Sequence, residues 1–144
     1  MRIWRLTALC SLLFLMHPAA WACTCFAPSA KTALGRVDVV FRGTLIEHKE
    51  RSAIFRVREQ WKGNLGADIE VEWREGDNGD CNGFWTEYLK IGNELLVFAT
   101  RGAGGIYRTS ICLPTKFVAE AQTELHELGP GSPPRSAEKS KQHP

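Results

Sequence analysis

Four cysteines carry the chemistry that is easiest to place in this chain: Cys23, Cys25, Cys81 and Cys112. Cysteines act as disulfides, as metal ligands or as redox thiols, and spacing separates these roles. Cys23 and Cys25 are too close in sequence to bond to each other without a strained ring. Each is therefore expected to pair with a distant partner, and two connectivities remain open. Both close loops of several dozen residues, for which chain entropy contributes about 4 kcal/mol per bond. A metallochaperone or redox Cys-x-Cys is the weaker reading, because two further cysteines stand ready to pair. A fifth cysteine, Cys10, lies in an apolar run at the start of the chain.

Other chemistry-bearing residues are scattered. His48 and His126 have no second histidine at ligand spacing and read as surface residues. Glu75, Asp77 and Asp80 lack the twelve-residue loop of a calcium site and read as a solvated turn. Trp61, Trp73 and Trp85 could line a binding face, but Trp61 and Trp73 fall at strand spacing, as core or half-buried positions do. No serine, cysteine or histidine constellation supports catalysis, and no cofactor is implied. The expectation is a protein that is not an enzyme.

The elements that hold the cysteines begin with a secretory signal. Arg2 and Arg5 precede the apolar run Leu6 to Met16, which is too short to span a bilayer. His17-Pro18 ends it, and Ala20-Trp21-Ala22 supplies the small-x-small cleavage pattern. Residues 1–22 are thus expected to leave, making Cys23 the mature N-terminus of a secreted or periplasmic protein. An acylated, lipid-anchored Cys23 is the weaker reading, because Ala20 and Trp21 fit a lipobox poorly. The formal charge of +2 is carried by Arg2 and Arg5, so the mature chain is neutral. It has no basic footprint for nucleic acid, and no transmembrane segment is expected in it. An even cysteine count behind such a signal reads as two disulfides.

Past the cleavage site the pattern is mostly β. Ser29 is placed to cap a short helix over Ala30–Leu34, with Gly35 as its left-handed terminus. Strands are predicted at Val37–Glu47, with a bulge or bend at Gly43, and at Ala53–Trp61. In the second, Phe55, Val57, Glu59 and Trp61 share one face. Ile69–Arg74, Glu94–Thr100 and Ile106–Cys112 complete five strands, with Cys81 in the loop Glu75–Gly83. Five short strands suggest a small OB-like barrel. Pro114-Thr115 then opens a helix whose stripe Phe117, Val118, Ala121, Leu125 and Leu128 packs on the barrel. The domain is expected to span 23–128. Residues 129–144, rich in proline, serine and lysine, read as a disordered tail.

Cys23-Thr24-Cys25 at the cleavage site resembles the start of the tissue inhibitors of metalloproteinases (TIMPs), in the netrin-like OB-fold group. The resemblance continues through Thr32–Arg42, Cys81-Asn82-Gly83-Phe84, Leu95–Ala99 and Thr109-Ser110-Ile111-Cys112, covering roughly Cys23 to Leu128. It implies a netrin/TIMP-like barrel and the pairing Cys23–Cys81 with Cys25–Cys112. It also implies a protease-binding edge of Cys23, Thr24, Cys25, Gly79, Asp80, Cys81 and Asn82, with Thr24 entering the protease's specificity pocket. There are departures. Gly35 stands where the TIMPs have a cysteine, whose partner beyond the helix is also missing, and the tail stands where they continue into a second domain.

The chemistry of such an edge is concrete. Cleavage after Ala22 frees the α-amine of Cys23 beside its own carbonyl. Together they form a five-membered chelate on one metal ion. A catalytic zinc keeps an open coordination position, so the pair can displace its water. The leading expectation is an inhibitor of zinc metalloendopeptidases acting through Cys23. The alternative is a noncatalytic extracellular or envelope binding module that uses the same barrel for another partner.

Overall fold

The computed structural model describes residues 25–73, 81 and 83–135. Helix α1 (Ala30–Arg36) leads into β1 (Val39–His48), β2 (Ser52–Lys62) and β3 (Asp68–Glu72). Strand β4 (Glu94–Arg101), the short β5 (Tyr107–Arg108) and β6 (Lys116–Phe117) follow, then helix α2 (Gln122–Leu128). The strands run in the order β1-β2-β3-β5-β4, and β4 pairs back onto β1. This closes a five-stranded β-barrel, OB-like as the strand count suggests, with β6 added on β4. All pairings are antiparallel except β3 with β5, where Val71 stands beside Tyr107.

Alternation builds two cores from one sheet. Inward positions Phe41, Leu45, Phe55, Val57, Val71, Leu95 and Val97 fill the barrel, with Phe84 packed on Phe55. Outward positions Val40, Leu96 and Phe98 would face water, but the helices cover them. Ala30, Ala33 and Val37 from the α1 region and Ala121 and Leu125 from the α2 region complete this second cluster. That is why β4 reads as a continuous apolar run: both of its faces are covered.

Three bulges bend the β1–β2 ribbon. The register skips Arg58 between Gly43↔Val57 and Arg42↔Glu59, Trp61 between Phe41↔Gln60 and Val40↔Lys62, and Ile46 on β1. The expected bend at Gly43 is therefore real. Each extra residue reverses the alternation beyond it. This overturns the expectation that Glu59 and Trp61 share the face of Phe55 and Val57. Gln60 is buried instead, and Trp61 joins the helix-side cluster.

Three other expectations change. Ser29 does cap α1, its Oγ accepting from Thr32 N at 3.3 Å. The helix, however, continues through Gly35 to Arg36, and Gly35 is not among the glycines with positive φ. The expected fifth strand shrinks to two residues. Beyond it the Thr109 hydroxyl donates to Phe98 O at 2.8 Å, and Phe98 N donates to Thr115 Oγ1 at 3.0 Å. These two hydroxyls serve the edge of β4 between β5 and β6, where no strand lies. The C-terminal helix starts eight residues late. Lys116 and Phe117 pair with Leu96 and Leu95 as a strand, and Phe117 packs edge-on against Tyr88.

The tail also departs from expectation at its start. Ser132 exchanges both backbone hydrogen bonds with Gln60, and Arg135 N donates to Leu65 O at 2.8 Å. Gly131 N donates to Glu59 Oε1 at 2.9 Å. Residues 129–135 thus form a strap along β2, held by hydrogen bonds, which a reading based on apolar burial overlooks. Residues 136–144 lie outside the described set.

Candidate functional site

Cys25, Cys81 and Cys112 converge at one end of the barrel. Cys25 is disulfide-bonded to Cys112 across 87 residues, with the Cα atoms 5.5 Å apart. Cys81 is also disulfide-bonded. Its segment lies against the chain just before Cys112: Ile111 N donates to Cys81 O at 3.0 Å, and Gly83 N donates to Thr109 O at 3.0 Å. The Ser110 hydroxyl adds a bond to Cys81 O at 2.6 Å and accepts from Cys112 N at 3.2 Å. Ser110 thus stitches the Cys81 and Cys112 segments together.

Of the residues expected to form the edge, Cys25 and Cys81 are brought together here through Cys112. Cys23, Thr24, Gly79, Asp80 and Asn82 lie outside the described residues, and so does the expected Cys23–Cys81 bond. The acidic turn Glu75, Asp77 and Asp80 does too. Among the described residues no cluster of histidine, cysteine or carboxylate side chains could hold a metal ion. His48 is exposed and packs edge-on against Trp73, and His126 is exposed on α2.

The N-terminal arm rests on little besides its disulfide. Cys25 is exposed and Phe26 is 97% exposed. Trp85, just past the Cys81 segment, is 50% exposed. Trp85 is one of the tryptophans that could line a binding face by sequence, whereas Phe26 carries no such signal.

No family model matches the chain, and no curated protein matches it. No helix among the described residues is long and apolar enough to cross a membrane.

Proposed function

We propose that this chain is an exported inhibitor of zinc metalloendopeptidases, secreted or periplasmic, acting through the α-amine and carbonyl of Cys23 once the signal is removed. The observation that carries this reading is the Cys25–Cys112 bond beside the Cys81 segment. It anchors the chain two residues past the proposed chelating group, on an exposed edge. An edge held rigid before binding loses little entropy on docking. A bonded cysteine pair also suits an oxidising compartment. Thr24 would enter the specificity pocket, and the residues around Cys81 would pack beside it.

The test is a panel of zinc endopeptidases assayed with three proteins: the mature form, a form with one residue added before Cys23, and Thr24→Gly. The mature form should inhibit at least one protease. The extended form should lose most of that inhibition while staying folded, because an amide replaces the amine. Inhibition should also weaken below the ordinary α-amine pKa of about 7.7–8.0, where protonation competes with zinc. Thr24→Gly should weaken binding unevenly across the panel. If the mature form inhibits nothing, the binding-module reading takes its place. If the extended form inhibits equally, Cys23 is not the chelator.

A further inference from the structure

A second surface lies at the other end of β4. The disulfide end adjoins Phe98 to Thr100 through Thr109 and β5. Glu94 begins the strand six residues earlier, about 20 Å away at the usual rise. There an open groove of about 680 Å³ crosses the β1–β2 ribbon. Arg42, Thr44 and Arg58 line it, between Gly92 on one side and the strap Gly131–Pro133 on the other.

The charges in this groove are unequally used. Glu94 is taken by Arg42, with Nε–Oε1 at 2.7 Å and Nη2–Oε2 at 3.2 Å. That hydrogen bond raises the Arg42 pKa above its ordinary value against the cost of burial, with further help from the charges of Glu94 and Glu59. Glu59 accepts from Gly131 N through Oε1. Arg58 has no carboxylate within ion-pair distance among the described residues. Its Nε donates to Thr44 Oγ1 at 3.3 Å, and its two terminal amino groups have no acceptor among the described residues. Arg58 is also the residue that the β2 bulge leaves out of register. Bulges re-aim side chains, often beside functional sites.

We infer that this groove is a recognition site for a single carboxylate side chain on an extended segment of a protein partner, with Arg58 as the binding residue. The guanidinium, oriented by Thr44, offers its terminal fork, which matches a carboxylate in geometry. Glu59 and Glu94 flank it and repel further negative charge, so the site selects one carboxylate over a polyanion. The groove is open along its length rather than closed. A small free acid would stay largely solvated, whereas an extended segment would be bedded between Gly92 and the strap. This inference does not depend on Cys23.

The experiment is an NMR titration of the folded mature protein with acetyl-Gly-Gly-Glu-Gly-Gly-amide. Its glutamine isostere, glutarate and inorganic pyrophosphate serve as comparisons. The glutamate peptide should shift the Arg58 Nε–H and the Gly92 and Ser132 amides. The isostere, glutarate and pyrophosphate should each bind at least tenfold more weakly. Arg58→Gln should lose at least tenfold in affinity, Arg58→Lys should fall between it and wild type, and exposed Arg36→Gln should bind as wild type does. An amide spectrum for Arg58→Gln matching wild type away from the groove verifies its fold. Equal binding of the two peptides, equal binding of glutarate or pyrophosphate, no shift with the glutamate peptide, or unchanged binding by Arg58→Gln would each overturn the proposal.

Discussion

The two ends of the described chain are fastened to the same barrel by different means. The N-terminal arm is held by the Cys25–Cys112 bond, and the residue after it, Phe26, is almost fully exposed. The C-terminal strap is held by hydrogen bonds centred on Gln60, which is only 7% exposed. The Gln60 amide donates to Pro133 O at 2.9 Å, and its Oε1 accepts from Leu65 N at 2.9 Å. The Trp61 indole N–H donates to Gly129 O at 2.7 Å. An arm with little apolar surface to bury can be ordered covalently, at the loss of its tether in a reducing environment. It can also be ordered by completing the bonds of a buried polar group, which no reductant touches. The tethered arm leaves Phe26 exposed, whereas the strap spends its backbone on the barrel and becomes one wall of a groove.

The sharpest way to break this contrast is to remove the tether. The double substitution Cys25→Ala with Cys112→Ala should cost about 4.6 kcal/mol, the chain-entropy value for a loop of this size. Urea unfolding measures it, and wild type in reductant should lose at least as much, because Cys81 is bonded too. An unchanged midpoint would mean that the tie orders the arm without supporting the barrel.

Gln60→Leu attacks the other fastening. It leaves Leu65 N–H and Pro133 C=O without their side-chain partner, at about 2–3 kcal/mol. The loss should be the same in the disulfide-bonded protein and in a background lacking the cysteines. A loss that appears only in the oxidised protein would show that the two fastenings are coupled.

Trp61→Phe is a finer probe of the strap. It keeps a ring in the helix-side cluster and removes the bond to Gly129 O, for about 1 kcal/mol. Faster hydrogen exchange at Ser132 and Arg135, with β4 unaffected, would locate the effect in the strap.

The smallest effect is a gain. Gly35 lies in the last turn of α1, and a Cβ there meets nothing within 4 Å. Gly35→Ala should stabilise by about 0.5–1 kcal/mol through helix propensity. Its thermal shift should persist in the cysteine-free background, which separates the stability of α1 from the arm preceding it. A loss of stability would restore the reading of Gly35 as a left-handed cap.

Much of the barrel is legible in the sequence. The β-branched and aromatic run Val37–Glu47 marks β1, the period-two runs Ala53–Val57 and Ile69–Val71 mark β2 and β3, and the unbroken apolar run Leu95–Ala99 marks the doubly covered β4. Ser29 announces its helix because a cap is a bond between near neighbours. Of the expected edge, the Cys25–Cys112 pairing was available through family resemblance, whereas spacing left two pairings open.

What the sequence by itself determined is local: which segments are extended, which of their faces are apolar, and that two distant cysteine pairs are available. Tertiary structure decided what depends on a neighbouring strand. A bulge at Arg58 reverses the faces of Glu59 and Gln60, yet its cause lies in pairing with β1. Lys116 and Phe117 become a strand because the edge of β4 has bonds to offer, and Thr109 and Thr115 complete that edge with side-chain hydroxyls. The strap follows the same rule. Its composition lacks large apolar residues, but Gln60 and Leu65 present backbone and amide groups that must be satisfied, and the strap satisfies them. Hydrophobic periodicity records where a side chain points. It does not record which backbone groups remain unpaired after the barrel closes, and those groups settled the ends of the molecule.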